Sequence, residues 1–207
     1  DKLLLSLSKG ISQITYGTSG DIFGLITDIT PLVSIKYNNE IINSHLIGEF
    51  QFDNILLAIC IGNYFNLSNE NIKKSIENYI PTNNRSQLVK TKKNTLILDA
   101  YNANPSSMKA MLSSFSNQEY KNKLCILGDM LELGEESNKE HLDIIKLINQ
   151  LELECIFVGK IFHSLTKNSF KNKQGLVKHI QENNIHKKTI LLKGSRGIGL
   201  EQLIKNL

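Results

Sequence analysis

The residues this chain lacks exclude several function classes. It has three cysteines, Cys60, Cys125 and Cys155, each in an apolar run and without paired spacing. That pattern excludes a disulfide framework or a cysteine-based zinc site and leaves three small core residues of a reducing compartment. The longest apolar run, Ile55–Ile61, is far short of the ~18 residues of a membrane span. No basic-then-apolar signal segment opens the sequence, so a cytoplasmic protein with no membrane partner is expected. Only two arginines, Arg85 and Arg196, stand among the 24 basic residues. The lysines are interspersed with glutamates along the chain. The net charge of +4 therefore describes solvated faces and not a nucleic-acid surface. His45, His141, His163, His179 and His186 show no metal-ligand spacing, and most read as surface or helix-face residues. Gly-x-Ser-x-Gly, Cys–His and paired-carboxylate arrangements are missing, and so is the Gly-Lys-Ser/Thr of a phosphate-binding loop.

What remains is ordinary globular material: 207 residues, 41% hydrophobic and 21% charged. A chain of that length buries roughly 70% of its unfolded surface and needs no staple. Up to about residue 48 it reads as β-rich, with β-branched runs at 11–16, 22–29, 32–37 and 41–46. Gly17–Gly20, Thr30-Pro31 and Asn38-Asn39 separate them, the last as a hairpin. From Phe52 the apolar spacing changes to three and four, which predicts a buried helix to about Phe65 and a second from Ser68 to Ile80. The polar stretch Pro81–Ser86 marks a boundary, giving domains 1–82 and 83–207. Beyond it, strands at 95–98, 124–127, 155–158 and 189–192 alternate with helices at 106–115, 135–150, 176–183 and 199–207. That alternation predicts an α/β, Rossmann-like doubly wound, mostly parallel sheet, with ligands beyond the carboxyl ends of the strands.

Three of the loops there carry chemistry-bearing residues. Asp99-Ala-Tyr-Asn-Ala-Asn-Pro-Ser-Ser-Met108 places an acid directly after a buried strand, where it could accept from a ribose diol. Asp99 and Asn104 could equally cap the loop and the helix. Asparagine at 99 would keep that shape, so it is expected to fold normally. Gly128-Asp-Met-Leu-Glu-Leu-Gly134 has two glycines without the lysine of a P-loop; a ligand loop and a plain connection fit it equally. Lys193-Gly-Ser-Arg-Gly-Ile-Gly199 offers a lysine, an arginine and free backbone N–H groups, suited to a carboxylate or phosphate or simply to a solvated turn.

Taken in order, "DAYNANPSSM", "ILGDMLELG" followed by Glu140-His141, and "LLKGSRGIGLE" resemble the C-terminal domain of the Mur ligases. Within that family they are most similar to the branch acting on UDP-N-acetylmuramoyl-tripeptide and D-alanyl-D-alanine. "LIGEFQFDNILLAICIGNYF" and "NNRSQ" resemble the end of that family's central ATPase domain and its linker. The resemblance implies an ATP-dependent amide ligase of peptidoglycan synthesis, acting as a monomer through an acyl-phosphate intermediate. It implies ATP and Mg2+ as cofactors, with the magnesium ligands and P-loop in a preceding part. The chain alone is then expected to be an inactive fragment. Asn54 matches an adenine-contacting asparagine, although Phe50-Gln51 replaces the usual His-Asn before it. Arg85 matches the linker arginine at the nucleotide, and Asp99 the acid on the ribose hydroxyls. Asn102, Asn104, Ser195 and Arg196 match cleft positions facing the dipeptide. A stand-alone nucleotide-sensing or interaction module of the same fold is the other reading.

Overall fold

The computed structural model describes residues 2–207, which form two compact units: 2–45 with Glu49–Tyr79, and Leu46–Gly48 with Ile80–Leu207. The first unit contains α1 (Lys2–Leu7) and a four-stranded sheet of β1 (Tyr16–Gly17), β2 (Ile22–Asp28), β3 (Ser34–Tyr37) and β4 (Glu40–Asn43) in sequential order. The β3–β4 hairpin closes on Asn38 and Asn39 with φ of 46° and 64°. A two-residue turn with both φ values positive matches the twist of its strands, and asparagine tolerates that conformation. Of the run 11–16, only Tyr16 joins a strand. The Asp21 carboxylate takes both the N–H and the hydroxyl of Thr15 at 2.8 Å, folding the Gly17–Gly20 segment back on itself. Helix α2 (Gln51–Tyr64) buries Phe52, Ile55, Leu56 and Ile59, and Ser68 caps α3 (Asn69–Asn78) by accepting from the N–H of Asn71.

The second unit is a six-stranded sheet with helices on both faces. Its strands are β5 (Gln87–Lys90), β6 (Thr95–Asp99), β7 (Lys123–Gly128), β8 (Cys155–Val158), β9 (Ser169–Phe170) and β10 (Thr189–Lys193), in the order β5-β6-β10-β7-β8-β9. All pairings are parallel except β5–β6. The intervening helices are α4 (Pro105–Asn117), α5 (Ser137–Gln150), α6 (Lys160–Leu165) and α7 (Lys173–Asn183). Strands buried on both faces read as continuous apolar runs. Leu96, Leu98, Leu124, Ile126, Ile190 and Leu192 pack with Leu176 and Ile180 of α7 on one face. Ile97, Cys125, Leu127 and Leu191 alternate with them and point to the other face.

Four elements differ from the sequence expectation. The last helix is a 3₁₀ segment, Leu200–Lys205, entered through Gly199 at φ 70°. The antiparallel edge strand β5 follows the boundary stretch, and α6 with β9 fills the β8–α7 connection. α6 and β9, of six and two residues, are too short to show a period, and β5 is half polar. Gly194 must be glycine because a Cβ there would sit 2.8 Å from the Gly128 Cα, and Gly128, with no positive φ, is itself tight because its Cβ would sit 3.0 Å from Ile198. The carboxyl ends of β7 and β10 approach too closely there for any side chain.

Candidate functional site

Strands β6 and β10 are parallel neighbours, and Asp99 and Lys193 are register partners at their carboxyl ends. The two side chains form an ion pair there. The Lys193 side chain is 2% exposed and that of Asp99 16%. Asp99 Oδ1 also accepts the backbone N–H of Ser86 at 3.1 Å. Lys193 is thus paired with Asp99 and is not the free anion-binding lysine that its loop suggests. A carboxylate has about four acceptor positions. With the Ser86 hydroxyl also donating to Oδ1 at 3.5 Å, three are used here, so Asp99 retains capacity for a further donor.

The antiparallel sense of β5 carries the boundary stretch to the same place. Gln87 opens β5 opposite Leu98, next to the end of β6, so Arg85 and Ser86 lie at the strand ends and not at their far side. Asn83, Asn84 and Ser86 all have positive φ, 57°, 59° and 47°. Three such residues in four carry backbone strain of the kind concentrated at functional sites. The Arg85 guanidinium carbon sits 3.9 Å from the centroid of the Tyr101 ring, and that of Arg196 5.7 Å from the same ring. The chain's only two arginines therefore converge on one aromatic side chain, which the sequence patterns do not single out.

The other matched residues divide by what their side chains already do. Asn104 is the N-cap of α4: its Oδ1 accepts from the N–H of Ser107 at 2.8 Å, and Ser107 Oγ reciprocates on the N–H of Asn104. This capping box stabilises by about 1 kcal/mol and occupies the side chain. Ser195 is 3% exposed; its Oγ accepts from Leu131 N–H at 2.8 Å and donates to the Ala103 carbonyl at 3.4 Å. Asn102 accepts from Ala103 N–H through Oδ1, and its amide nitrogen makes no bond among the described residues. In the first unit, Asn54 is exposed on the first turn of α2, donating to Gln51 Oε1 at 2.8 Å.

The Gly128–Gly134 loop is held from three sides. Besides Ser195, the Nε2 of His141 accepts from the N–H of Met130 at 3.0 Å, and its Nδ1 lies 2.7 Å from the Ser137 carbonyl. An accepting Nε2 places the ring proton on Nδ1, donated to Ser137. His141 is fully buried. It shares the inward face of α5 with Ile144 and Ile148, and that three-and-four spacing is the signal that marks it. Asp129 accepts from Ile161 and Phe162 N–H, both at 2.9 Å, capping α6. Among the described residues, no group of three or more His, Cys, Asp or Glu side chains comes together as a metal site, and no helix is long and apolar enough to cross a membrane.

Comparisons with known proteins meet this geometry. Residues 84–196 match the family described as Mur ligase, glutamate ligase domain. The UDP-N-acetylmuramoyl-tripeptide--D-alanyl-D-alanine ligase of Bacillus subtilis is 32% identical over 100% of this chain and 50% of its own length. That of Rickettsia prowazekii is 32% identical over 59% of this chain and 29% of its own. Among solved structures, MurF from Acinetobacter baumannii superposes with a TM-score of 0.80 at 25% identity, covering 94% of this chain and 46% of that one. MurF from Thermotoga maritima in complex with ADP shares the fold, with a TM-score of 0.77 at 16% identity. The chain spans about half the length of the curated relatives it matches. With more than half of its residues inside the family's own domain, the chain belongs to the Mur ligase family.

Proposed function

We propose that this chain supplies the ribose-binding and dipeptide-binding side of an ATP-dependent amide ligase that joins D-alanyl-D-alanine to UDP-N-acetylmuramoyl-tripeptide. In that reaction the tripeptide carboxylate attacks the γ-phosphorus of ATP, giving an acyl phosphate and ADP. The dipeptide amine then attacks the acyl carbon and inorganic phosphate leaves. Residues 1–82 are read as the closing part of the ATPase domain and 83–207 as the C-terminal ligase domain. Asp99 accepts the ribose hydroxyls, Arg85 meets the phosphates and Asn54 the adenine. Asn102 and Arg196 face the dipeptide, while Asn104 and Ser195 shape the loops that carry them. Mg2+ is assigned to no residue of this chain. The phosphoryl-transfer step depends on positioning groups outside it, so the chain alone should neither hydrolyse ATP nor ligate.

The observation that carries the reading is the Asp99 carboxylate, fixed by Lys193 and Ser86 at a strand's carboxyl end and still able to accept. Titrating the chain with ADP and with 2′,3′-dideoxy-ADP, followed by NMR, tests it. Hydrogen bonds to a charged group contribute about 1.5–3 kcal/mol each. Loss of the diol should therefore weaken binding roughly ten-fold or more. Equal binding of the two nucleotides would remove Asp99 from the ribose role.

A further inference from the structure

We propose that the amino-end rim of the second unit's sheet, opposite the candidate site, is a lysine-built docking surface for an anionic lipid bilayer. It does not rest on the ligase reading.

Three turns meet at that rim: 91–94 before β6, 118–122 before β7 and 184–188 before β10. β10 lies between β6 and β7, so the turns stand side by side at the strand spacing of about 4.8 Å. They are tied to one another through backbone and asparagine groups. The N–H of Lys187 donates to the Lys93 carbonyl at 2.8 Å. Asn94 accepts the N–H of Lys188 at 3.1 Å and donates to the Ile185 carbonyl at 3.0 Å. Asn122 donates its amide to the Lys187 carbonyl at 3.1 Å. None of these bonds uses a lysine side chain, so the backbone is fixed and the charges are free.

Lys92, Lys93, Lys121 and Lys187 are exposed, and among the described residues none of them is in an ion pair. Lys188, by contrast, is paired with Glu154, and Lys123 donates to the Ser116 carbonyl at 2.6 Å. The three turns hold one acid, Glu119. The next turn along, 151–154, carries Glu152 and Glu154 and bounds the basic run on the β8 side. Lysines that are interspersed with glutamates in the sequence are thus sorted by the fold. Neighbouring turns lie within the ~8 Å screening length of physiological salt, so these charges act together and repel one another. A negative surface against the rim relieves that repulsion.

The chemistry of the rim selects among polyanions. It has no arginine, and no large apolar or aromatic side chain of the three turns is exposed. Nucleic-acid surfaces combine charge with aromatic platforms or the paired donors of arginine. Protein interfaces are depleted in lysine and anchored on buried aromatic, methionine and arginine side chains. An anionic bilayer needs neither, because its surface potential attracts point charges, each lysine contributing about five-fold in binding. Four together multiply to roughly several hundred-fold, a reversible and salt-sensitive contact. The sequence expectation of no membrane partner rests on the lack of a spanning run, which a peripheral contact does not need.

The test sediments the whole chain with vesicles of phosphatidylcholine alone and of equal parts phosphatidylcholine and phosphatidylglycerol. The chain should bind the second and not the first, and lose that binding as salt rises. Lys93→Gln and Lys187→Asn should each weaken it about five-fold; asparagine is used at 187 because the backbone there has φ 54°. The fourfold variant Lys92→Gln, Lys93→Gln, Lys121→Gln, Lys187→Asn should no longer sediment. Replacing the exposed Lys139, Lys146, Lys171 and Lys178 by glutamine removes the same charge elsewhere on the unit and should stay within about two-fold of the parent. Urea melts confirm that both fourfold variants fold. The proposal is overturned if the chain ignores the anionic vesicles, if it binds both vesicle types equally, or if the two fourfold variants lose binding equally. It is also overturned if a mixed-sequence RNA or polyglutamate binds the parent more tightly than the anionic vesicles do at the same salt.

Discussion

Breaking the Asp99–Lys193 pair from either side should produce unequal losses that vanish when both partners are replaced. Removing one partner of a buried ion pair costs about 3–5 kcal/mol, because the other charge is left unpaired away from water. Asp99→Asn strands an ammonium whose side chain is 2% exposed, so it belongs at the upper end of that range. Lys193→Met strands a carboxylate that is 16% exposed and still accepts from Ser86 N–H at 3.1 Å, which puts it near about 3 kcal/mol. Against a total stability of about 5–15 kcal/mol, both are visible in urea melts followed by circular dichroism. The double variant Lys193→Met with Asp99→Asn removes both charges and should lie within about 1–2 kcal/mol of the parent. The cycle should therefore show strong non-additivity. If each single variant costs under about 1 kcal/mol, or if the two costs add, the pair is solvated and the site is not preorganised as described. Normal folding of Asp99→Asn is what the sequence suggests, and the buried ammonium reverses it.

Other consequences are more local. Burial pushes the Cys125 thiol up from 9.0 to about 12, and burial likewise holds Cys155 well above its ordinary value. Below pH 9 neither folded nor unfolded chain ionises there. Between pH 9 and about 12 the unfolded chain loses these protons while the folded one keeps them, so stability should fall as pH rises. Iodoacetamide should spare both cysteines until urea is added; their modification in the folded chain would contradict their burial. Gly159→Ala should cost at least roughly 3 kcal/mol, read as the loss of a cooperative melt. A Cβ there would sit 2.2 Å from the Asp129 carboxyl carbon, on a backbone at φ 131°. His141→Phe keeps the packing but leaves the buried Met130 N–H without an acceptor, a loss of about 1–3 kcal/mol that His141→Gln should partly restore. A non-specific protease should cut first within Thr82–Arg85, the exposed part of the polar stretch; a first cut within α4 or α5 would count against that boundary.

Much of the second unit was legible because strands buried on both faces leave unbroken apolar runs. The strands at 95–98, 124–127, 155–158 and 189–192 fall inside β6, β7, β8 and β10. Pro105 and Asn104 likewise announce the start of α4. Two strands were not legible: β9 has two residues, and β5, Gln-Leu-Val-Lys, is half polar and lacks the unbroken apolar run of the central strands. At the site, Asp99, Arg85 and Arg196 could be named from their loops, but their partners could not. The use of Lys193 by Asp99 depends on β6 and β10 being neighbours, although 94 residues separate the two side chains. Tyr101 matters through two cations that arrive from distant segments. His141 was hidden for another reason: its place on the apolar face of α5 is written in the spacing, but a histidine there reads as polar.

The central claim is that this chain carries the nucleotide-side and dipeptide-side half of a D-alanyl-D-alanine-adding ligase. The most direct test fuses it behind the remaining half of the Bacillus subtilis ligase and measures joining of D-alanyl-D-alanine to UDP-N-acetylmuramoyl-tripeptide. A parallel fusion with the matching part of the Rickettsia prowazekii ligase serves as control. Product formation that requires both ATP and the dipeptide, and that falls at least roughly ten-fold in Arg85→Gln, is the predicted result. A folded fusion that forms no product while the control fusion does would contradict the account.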